Sequence, residues 1–196
     1  MERDEILGAL EPVIKTFDEL GILYYIGGSI ASSAYGMPRT TLDVDLVTAL
    51  TPLNITPLVD KLKEEYFIDA EMINDALITK TSFNILHLKT MLKIDVFILK
   101  DKPYQQKAFE RKIKDRLEEK PDALSVYLCS PEDVIINKLE WYKSGGEISE
   151  RQWLDILGVI KVQGNSLDKE YLTKWSKELG VEDLLKKSFN ESNLNI

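Results

Sequence analysis

Apolar side chains at Ile6, Leu7, Leu10, Val13, Ile14 and Phe17 recur every three or four residues, which predicts an amphipathic helix over 4–20. Gly21 ends it. The run 22–26 reads as a short buried strand, and 29–35 as a short helix broken by Gly36-Met37-Pro38. Residues 43–48 form a second strand. A helix over 52–65 sets Leu58, Val59 and Leu62 on one face. Segments 83–88 and 92–99 alternate as two neighbouring strands around a turn at Lys89-Thr90-Met91. Residues 104–117 are charged and fit neither period. Residues 124–128 are a last strand or an extended link.

The texture changes at Ser130-Pro131-Glu132-Asp133. A capping serine, a first-turn proline and two acids at the positive end of the dipole mark a helix start. Helical spacing then continues over 131–143, 149–162, 168–178 and 181–189, with turns at Gly145-Gly146, Gly164-Asn165 and Gly180. The expected organisation is an α/β domain over 1–129 and a helical domain over 130–196. There are no internal repeats and no low-complexity segment.

Composition narrows the function classes. An apolar fraction of 44% in 196 residues supports a folded core. A net charge of −8 argues against a broad basic nucleic-acid surface. Cys129 is the sole cysteine, so a disulfide within the chain and a cysteine metal site are excluded. The opening Met1-Glu2-Arg3-Asp4-Glu5 lacks a signal peptide's character, and no apolar run approaches the ~18 residues of a membrane span. A cytoplasmic protein without membrane partners is the expectation.

The chemistry concentrates in Leu23–Val47. A buried strand meets Gly27-Gly28-Ser29, and after residues 30–42 a second strand carries Asp43-Val44-Asp45. Side chains on a strand alternate faces, so Asp43 and Asp45 point the same way, about 6–7 Å apart at their roots. Such a pair of hard oxygen ligands suits Mg²⁺ or Mn²⁺ together with phosphate oxygens. Glycines let a phosphate approach the backbone, and the helix start that follows offers N–H donors, with the Ser29 hydroxyl beside them. Asp95 is the lone acid of the apolar run Lys93–Ile98, where an unpartnered core carboxylate would be costly. A third carboxylate at a two-metal phosphoryl-transfer site accounts for it.

As an ordered set, Gly27-Gly28-Ser29, Asp43-Val44-Asp45 and Asp95 resemble the signature of the DNA polymerase β-like nucleotidyltransferase superfamily. Ser130–Glu140 and Glu150–Leu157 resemble the lysine and arginine–aspartate motifs of abortive-infection (AbiEii-like) nucleotidyltransferase toxins and their bacterial relatives. The resemblance implies an α+β fold: a small mixed β-sheet with flanking helices plus a C-terminal helical bundle. It implies a metal-dependent transfer of a nucleoside monophosphate from an NTP to a hydroxyl of RNA such as tRNA, a protein or a small molecule. A toxin–antitoxin or phage-defence role with a cognate antitoxin would follow. Catalytic and metal-binding roles fall on Asp43, Asp45 and Asp95. Nucleotide contacts fall on Gly27, Gly28, Ser29, Arg39, Lys138, Arg151 and Asp155.

Several of these residues have plainer readings. Lys138 is a phosphate ligand or a solvated flank residue, and Arg39 a phosphate contact or a solvated loop residue. Arg151 and Asp155, four apart, line a cleft or pair on the helix surface. Asp69-Ala70-Glu71 repeats the acid spacing without a glycine turn and reads as structural, at a strand edge. His87 reads as a strand-face residue; Trp141, Tyr142, Trp153 and Trp175 read as core before base stacking, with Tyr142 also placed to border a nucleotide pocket. The stretch Lys107, Arg111, Lys112, Lys114, Arg116 and Lys120, interrupted by acids, reads as a solvated face before an RNA-docking patch. Two other functions are compatible with the chain: a nucleotide-binding regulatory or toxin–antitoxin partner with little turnover, and a plain interaction domain.

Overall fold

The computed structural model describes residues 3–39, 41, 43–117 and 123–196. Met1, Glu2, Thr40, Leu42, Pro121 and Asp122, and Glu118, Glu119 and Lys120 of the charged stretch, lie outside the described residues. In chain order the elements are α1 (Arg3–Glu19), β1 (Tyr24–Ile26), α2 (Gly28–Tyr35), β2 (Asp43–Thr48), α3 (Ile55–Leu62) and β3 (Tyr66–Phe67). Next come α4 (Ala70–Thr79), β4 (Ser82–His87), β5 (Lys93–Ile98), α5 (Pro103–Glu110), β6 (Ile113–Arg116) and β7 (Ser125–Leu128). Four helices close the chain: α6 (Pro131–Ser144), α7 (Glu150–Gln163), α8 (Lys169–Glu178) and α9 (Glu182–Glu191). No helix among the described residues is long and apolar enough to cross a membrane.

Two compact units result. The first comprises Met1–Gly27 and Thr40–Leu128, the second Gly28–Arg39 and Cys129–Ile196.

A seven-stranded mixed sheet in the order β3-β4-β5-β2-β1-β7-β6 organises the first unit. β2 pairs antiparallel with β1 and parallel with β5, and β4 and β5 form the expected hairpin. Along β2 and β5, Val44, Leu46, Ile94 and Val96 are fully buried, while Asp43, Asp45, Lys93 and Asp95 occupy the alternate positions. Each such aliphatic side chain contributes about 1.5–3 kcal/mol by leaving water. A one-residue slip would turn the aspartates into the core, so the hydrophobic alternation locks them on the other face. From α1, Phe17 packs edge-on against Tyr24, and the Tyr66 hydroxyl donates to the Ala9 carbonyl at 2.7 Å.

Three segments depart from the sequence reading. Residues 70–79 are helical: Asp69 is an N-cap that accepts from the Met72 N–H at 2.8 Å, so its role is structural through capping rather than at a strand edge. The charged stretch divides into α5 and the exposed edge strand β6, whose antiparallel partner β7 settles 125–128 as a strand. Residues 52–54 form a separate 3₁₀ turn before α3. His87 lies buried on its strand, against the Tyr66 ring and 2.8 Å from the Thr90 hydroxyl.

The second unit is helical. Ser130 caps α6, accepting from the Asp133 N–H and donating to Asp133 Oδ2 at 2.7 Å. The Tyr171 hydroxyl of α8 donates to Asp133 Oδ1 at 2.7 Å, and the Asp168 N–H donates to Glu132 Oε1 at 2.9 Å. Both first-turn acids of α6 are therefore buried fasteners for α8 as well as complements to the helix dipole. Tyr142 and Trp175 are buried as expected. Trp141 is not core: it is 60% exposed, because α6 turns that position away from its neighbours. Trp153 stacks near Tyr142 and donates from Nε1 to Glu191 at 2.7 Å.

Candidate active site

The turn out of β1 is tied to the strand that carries the acid pair. β1 pairs with β2 up to Ile26 opposite Leu46, and the Gly27 N–H donates to the Asp45 carbonyl at 2.8 Å. Gly28 follows with φ of 52°, a left-handed conformation that a side chain would strain. This is the physical reason for glycine at the sharp entry into α2, whose second residue is Ser29.

Parallel pairing of β2 with β5 sets Asp45 directly beside Asp95, and Asp43 directly beside Lys93. Neighbouring strands lie about 4.8 Å apart, so the two carboxylates share one face at close range. All three aspartates are thus on the same side of the sheet. Asp43 is exposed, whereas Asp45 and Asp95 are half-buried. On the other side of Asp95, Asn84 of β4 is its register partner, so Asn84, Asp95 and Asp45 form one row across three strands.

Like charges opposite one another in a sheet are destabilising. The charge is answered within the sheet: Lys93 Nζ lies 2.8 Å from Asp95 Oδ2. The hydrogen bond to Asp95 outweighs partial burial and, with attraction from the Asp95, Asp43 and Asp45 charges, holds the Lys93 ammonium above the ordinary lysine range. Sequence reasoning passed over Lys93 and Asn84. The signal for Lys93 was present, since it precedes Asp95 by two residues and must share its strand face. Asn84 needed the hairpin register.

Among the described residues, no three His, Cys, Asp or Glu side chains close on a common point that would hold an ion. Asp43 and Asp45 along β2, with Asp95 beside Asp45, form an open patch of hard-oxygen donors rather than a finished cage. The donor chemistry fits a magnesium-class cation, which retains waters and takes phosphate oxygens as further ligands. The Lys93 ion pair shows that a positive charge is accommodated there.

In the second unit, four of the expected nucleotide-contact residues form one cluster. Arg39 grips Asp155 with both nitrogens of one edge, Nε to Oδ1 and Nη2 to Oδ2, each at 2.8 Å. Its Nη2 also donates to Ser29 Oγ. Lys138 of α6 donates to Asp155 Oδ2 at 2.8 Å. Burial by itself raises the Asp155 carboxyl, but the hydrogen bonds and charges of Arg39 and Lys138 together hold it below the ordinary aspartate range. The side chains of Asp155 and Lys138 are only 7% and 10% exposed, so neither is a solvated flank residue. Arg39 is likewise not a solvated loop residue. Arg151, one turn earlier on α7, is exposed, and the ion partners of Asp155 are Arg39 and Lys138. Two cations thus converge on one carboxylate with a serine hydroxyl beside them, a set of N–H and O–H donors of the kind that binds phosphate oxygens.

The chain is similar in architecture to solved nucleotidyltransferase-type structures. The solution structure of the antibiotic-resistance factor ANT(2″)-Ia aligns over 97% of this chain and 99% of that one, with a TM-score of 0.56 and 13% identity. A crystal structure of ANT(2″)-Ia in complex with adenylyl-2″-tobramycin gives a TM-score of 0.57 over 89% and 97% of the two chains at 12% identity. An antigenic nucleotidyltransferase-like protein from Paracoccidioides brasiliensis gives 0.57 over 100% and 96% at 16% identity. The fold, a mixed sheet flanked by helices, is that of nucleotidyltransferases. No protein-family model matches the sequence, and no curated protein does.

Proposed function

We propose that this protein is a metal-dependent nucleotidyltransferase that moves a nucleoside monophosphate from an NTP to a hydroxyl acceptor and releases pyrophosphate. The observation that carries the reading is the register of β2 and β5, which sets Asp45 beside Asp95 on the face that also bears Asp43. The acceptor oxygen attacks the α-phosphorus, the α–β bridging bond breaks, and pyrophosphate departs with the bond's electron pair. Asp95 orients the acceptor hydroxyl and takes its proton. Asp43 and Asp45, with Asp95, would hold Mg²⁺ or Mn²⁺. Bound there, the cation supplies Lewis-acid stabilisation of the charge on the phosphate oxygens.

Gly27, Gly28 and Ser29 hold phosphate through close backbone approach and the serine O–H. Arg39 and Lys138 offset the charge that grows on the leaving pyrophosphate, and Asp155 fixes both cations in place. Arg151, exposed on α7, keeps the nucleotide contact that the family resemblance implies. The acceptor classes are a small molecule, an RNA such as tRNA, and a protein hydroxyl. A structural neighbour captured with adenylyl-2″-tobramycin supports testing small molecules first.

The test mixes the protein with labelled NTPs and Mg²⁺, adding tobramycin, total tRNA or lysate protein in turn. Pyrophosphate release with one acceptor is expected, and loss of release in Asp43→Asn and Asp45→Asn. Asp95→Asn should keep nucleotide binding while turnover falls by about 10²–10⁴-fold. An Asp95→Asn variant with full turnover removes the acceptor-activating role. Nucleotide binding without release under any acceptor identifies a binding module instead.

A further inference from the structure

We infer that Lys93 is a built-in counter-ion, an ammonium that holds Asp95 until a divalent cation displaces it, and that it thereby sets the metal affinity of the carboxylate face. The inference deepens the metal-dependent reading above and rests on it.

Three observations carry it. Lys93 Nζ lies 2.8 Å from Asp95 Oδ2, so one of the proposed ligands is engaged by a cation from its own strand. By register Lys93 stands directly beside Asp43, and Asp43 shares its strand face with Asp45, so its charge opposes all three carboxylates. Its side chain is 44% exposed, against 19% for Asp95, so the lysine can swing into water while the carboxylate stays where the sheet puts it. A partly exposed ion pair of this kind contributes only about 0–1 kcal/mol. A dication attracts the same oxygens more strongly and is repelled by the ammonium at the same range. Lysine and metal therefore compete for Asp95, and the fold tolerates three clustered carboxylates in the absence of the metal because the lysine is there.

The experiment measures Mn²⁺ affinity by electron paramagnetic resonance in the absence of nucleotide, for the wild type, Lys93→Met, Lys93→Arg and Asp45→Asn. Lys93→Met should bind about ten-fold more tightly, with Lys93→Arg close to wild type, because the charge rather than the stem opposes the metal. In wild-type protein, the Lys93 side-chain amine resonance should shift when Mg²⁺ saturates, as the ion pair opens; this readout does not depend on the variant folding. Equal or weaker Mn²⁺ binding in folded Lys93→Met, or a Lys93 resonance unmoved at saturation, overturns the inference while leaving the metal reading intact. Mn²⁺ binding absent from the wild type and Lys93→Met, or undiminished by Asp45→Asn, overturns the metal reading and this inference with it.

Discussion

Asp155 holds two cations brought from distant parts of the chain, Arg39 from 116 residues away and Lys138 from 17. Its carboxyl is held below the ordinary aspartate range against the upward push of burial. The folded state therefore binds this proton less readily than the unfolded chain. The resulting stability is present above the unfolded value of about 3.9 and is lost as pH falls through the lower folded value. Asp155→Asn leaves the buried Lys138 and the half-buried Arg39 without their carboxylate and should cost about 3 kcal/mol at pH 7. The gap from wild type should shrink below about pH 4, because the carboxyl of the unfolded chain takes up its proton there while the folded one, held lower, does so only at more acidic pH. Urea unfolding of both proteins from pH 7 to pH 3 checks this, and a gap that stays constant over that range contradicts it. Under the proposed function, ligand contacts by Arg39 and Lys138 would depend on the same carboxylate, which would make Asp155 a positioning residue.

Packing of α2 against α7 is what delivers Arg39 to Asp155. The two elements approach closely because glycine stands on both sides. A Cβ on Gly36 would meet the Val159 nitrogen at 2.8 Å and the Gly158 carbonyl carbon at 2.9 Å, both backbone atoms unable to yield. Gly158 in turn faces the Met37 nitrogen at 3.3 Å from its would-be Cβ. Gly36→Ala should therefore destabilise the protein by about 1–3 kcal/mol and loosen the Arg39–Asp155 contact. A lowered denaturant midpoint is the expected measurement, and an unchanged midpoint would show that the helices have room. Capping is the other lesson at this scale. Asp69 begins a helix whose spacing at Met72, Ile73 and Ala76 is too short and too mixed to stand out, and the acid pair Asp69/Glu71 imitates a strand motif. Pairing decides β7 in a similar way: Ser125–Leu128 is a strand because it joins β1 in parallel and β6 in antiparallel register.

For the whole molecule, the chain crosses between its compact units at 27/28, 39/40 and 128/129. The sheet unit carries the aspartates, and the helical unit carries the cations with Ser29. A ligand that binds only folded protein stabilises it by mass action, about 2.7 kcal/mol at one hundred times its dissociation constant. NTP with Mg²⁺ at that level should raise the unfolding free energy by this amount, and Asp45→Asn should remove the gain. Stabilisation by NTP that persists unchanged without divalent cation and in Asp45→Asn would detach nucleotide binding from the carboxylate face.

Local patterning in the chain was enough to determine the four closing helices, the β4–β5 hairpin, the glycine turn and the shared face of Asp43 and Asp45. These follow from side-chain periods and from capping and turn chemistry that act over a few residues. The reach of Arg39 and Lys138 to Asp155, the setting of Asp45 beside Asp95 and the row through Asn84 depend on strand register and helix packing. Those are long-range pairings, selected by which apolar faces bury together, and no window of the chain encodes them alone. Lys93 stands between the two cases. Its strand face was legible beside Asp95, but its place opposite Asp43 was decided only when β2 and β5 paired.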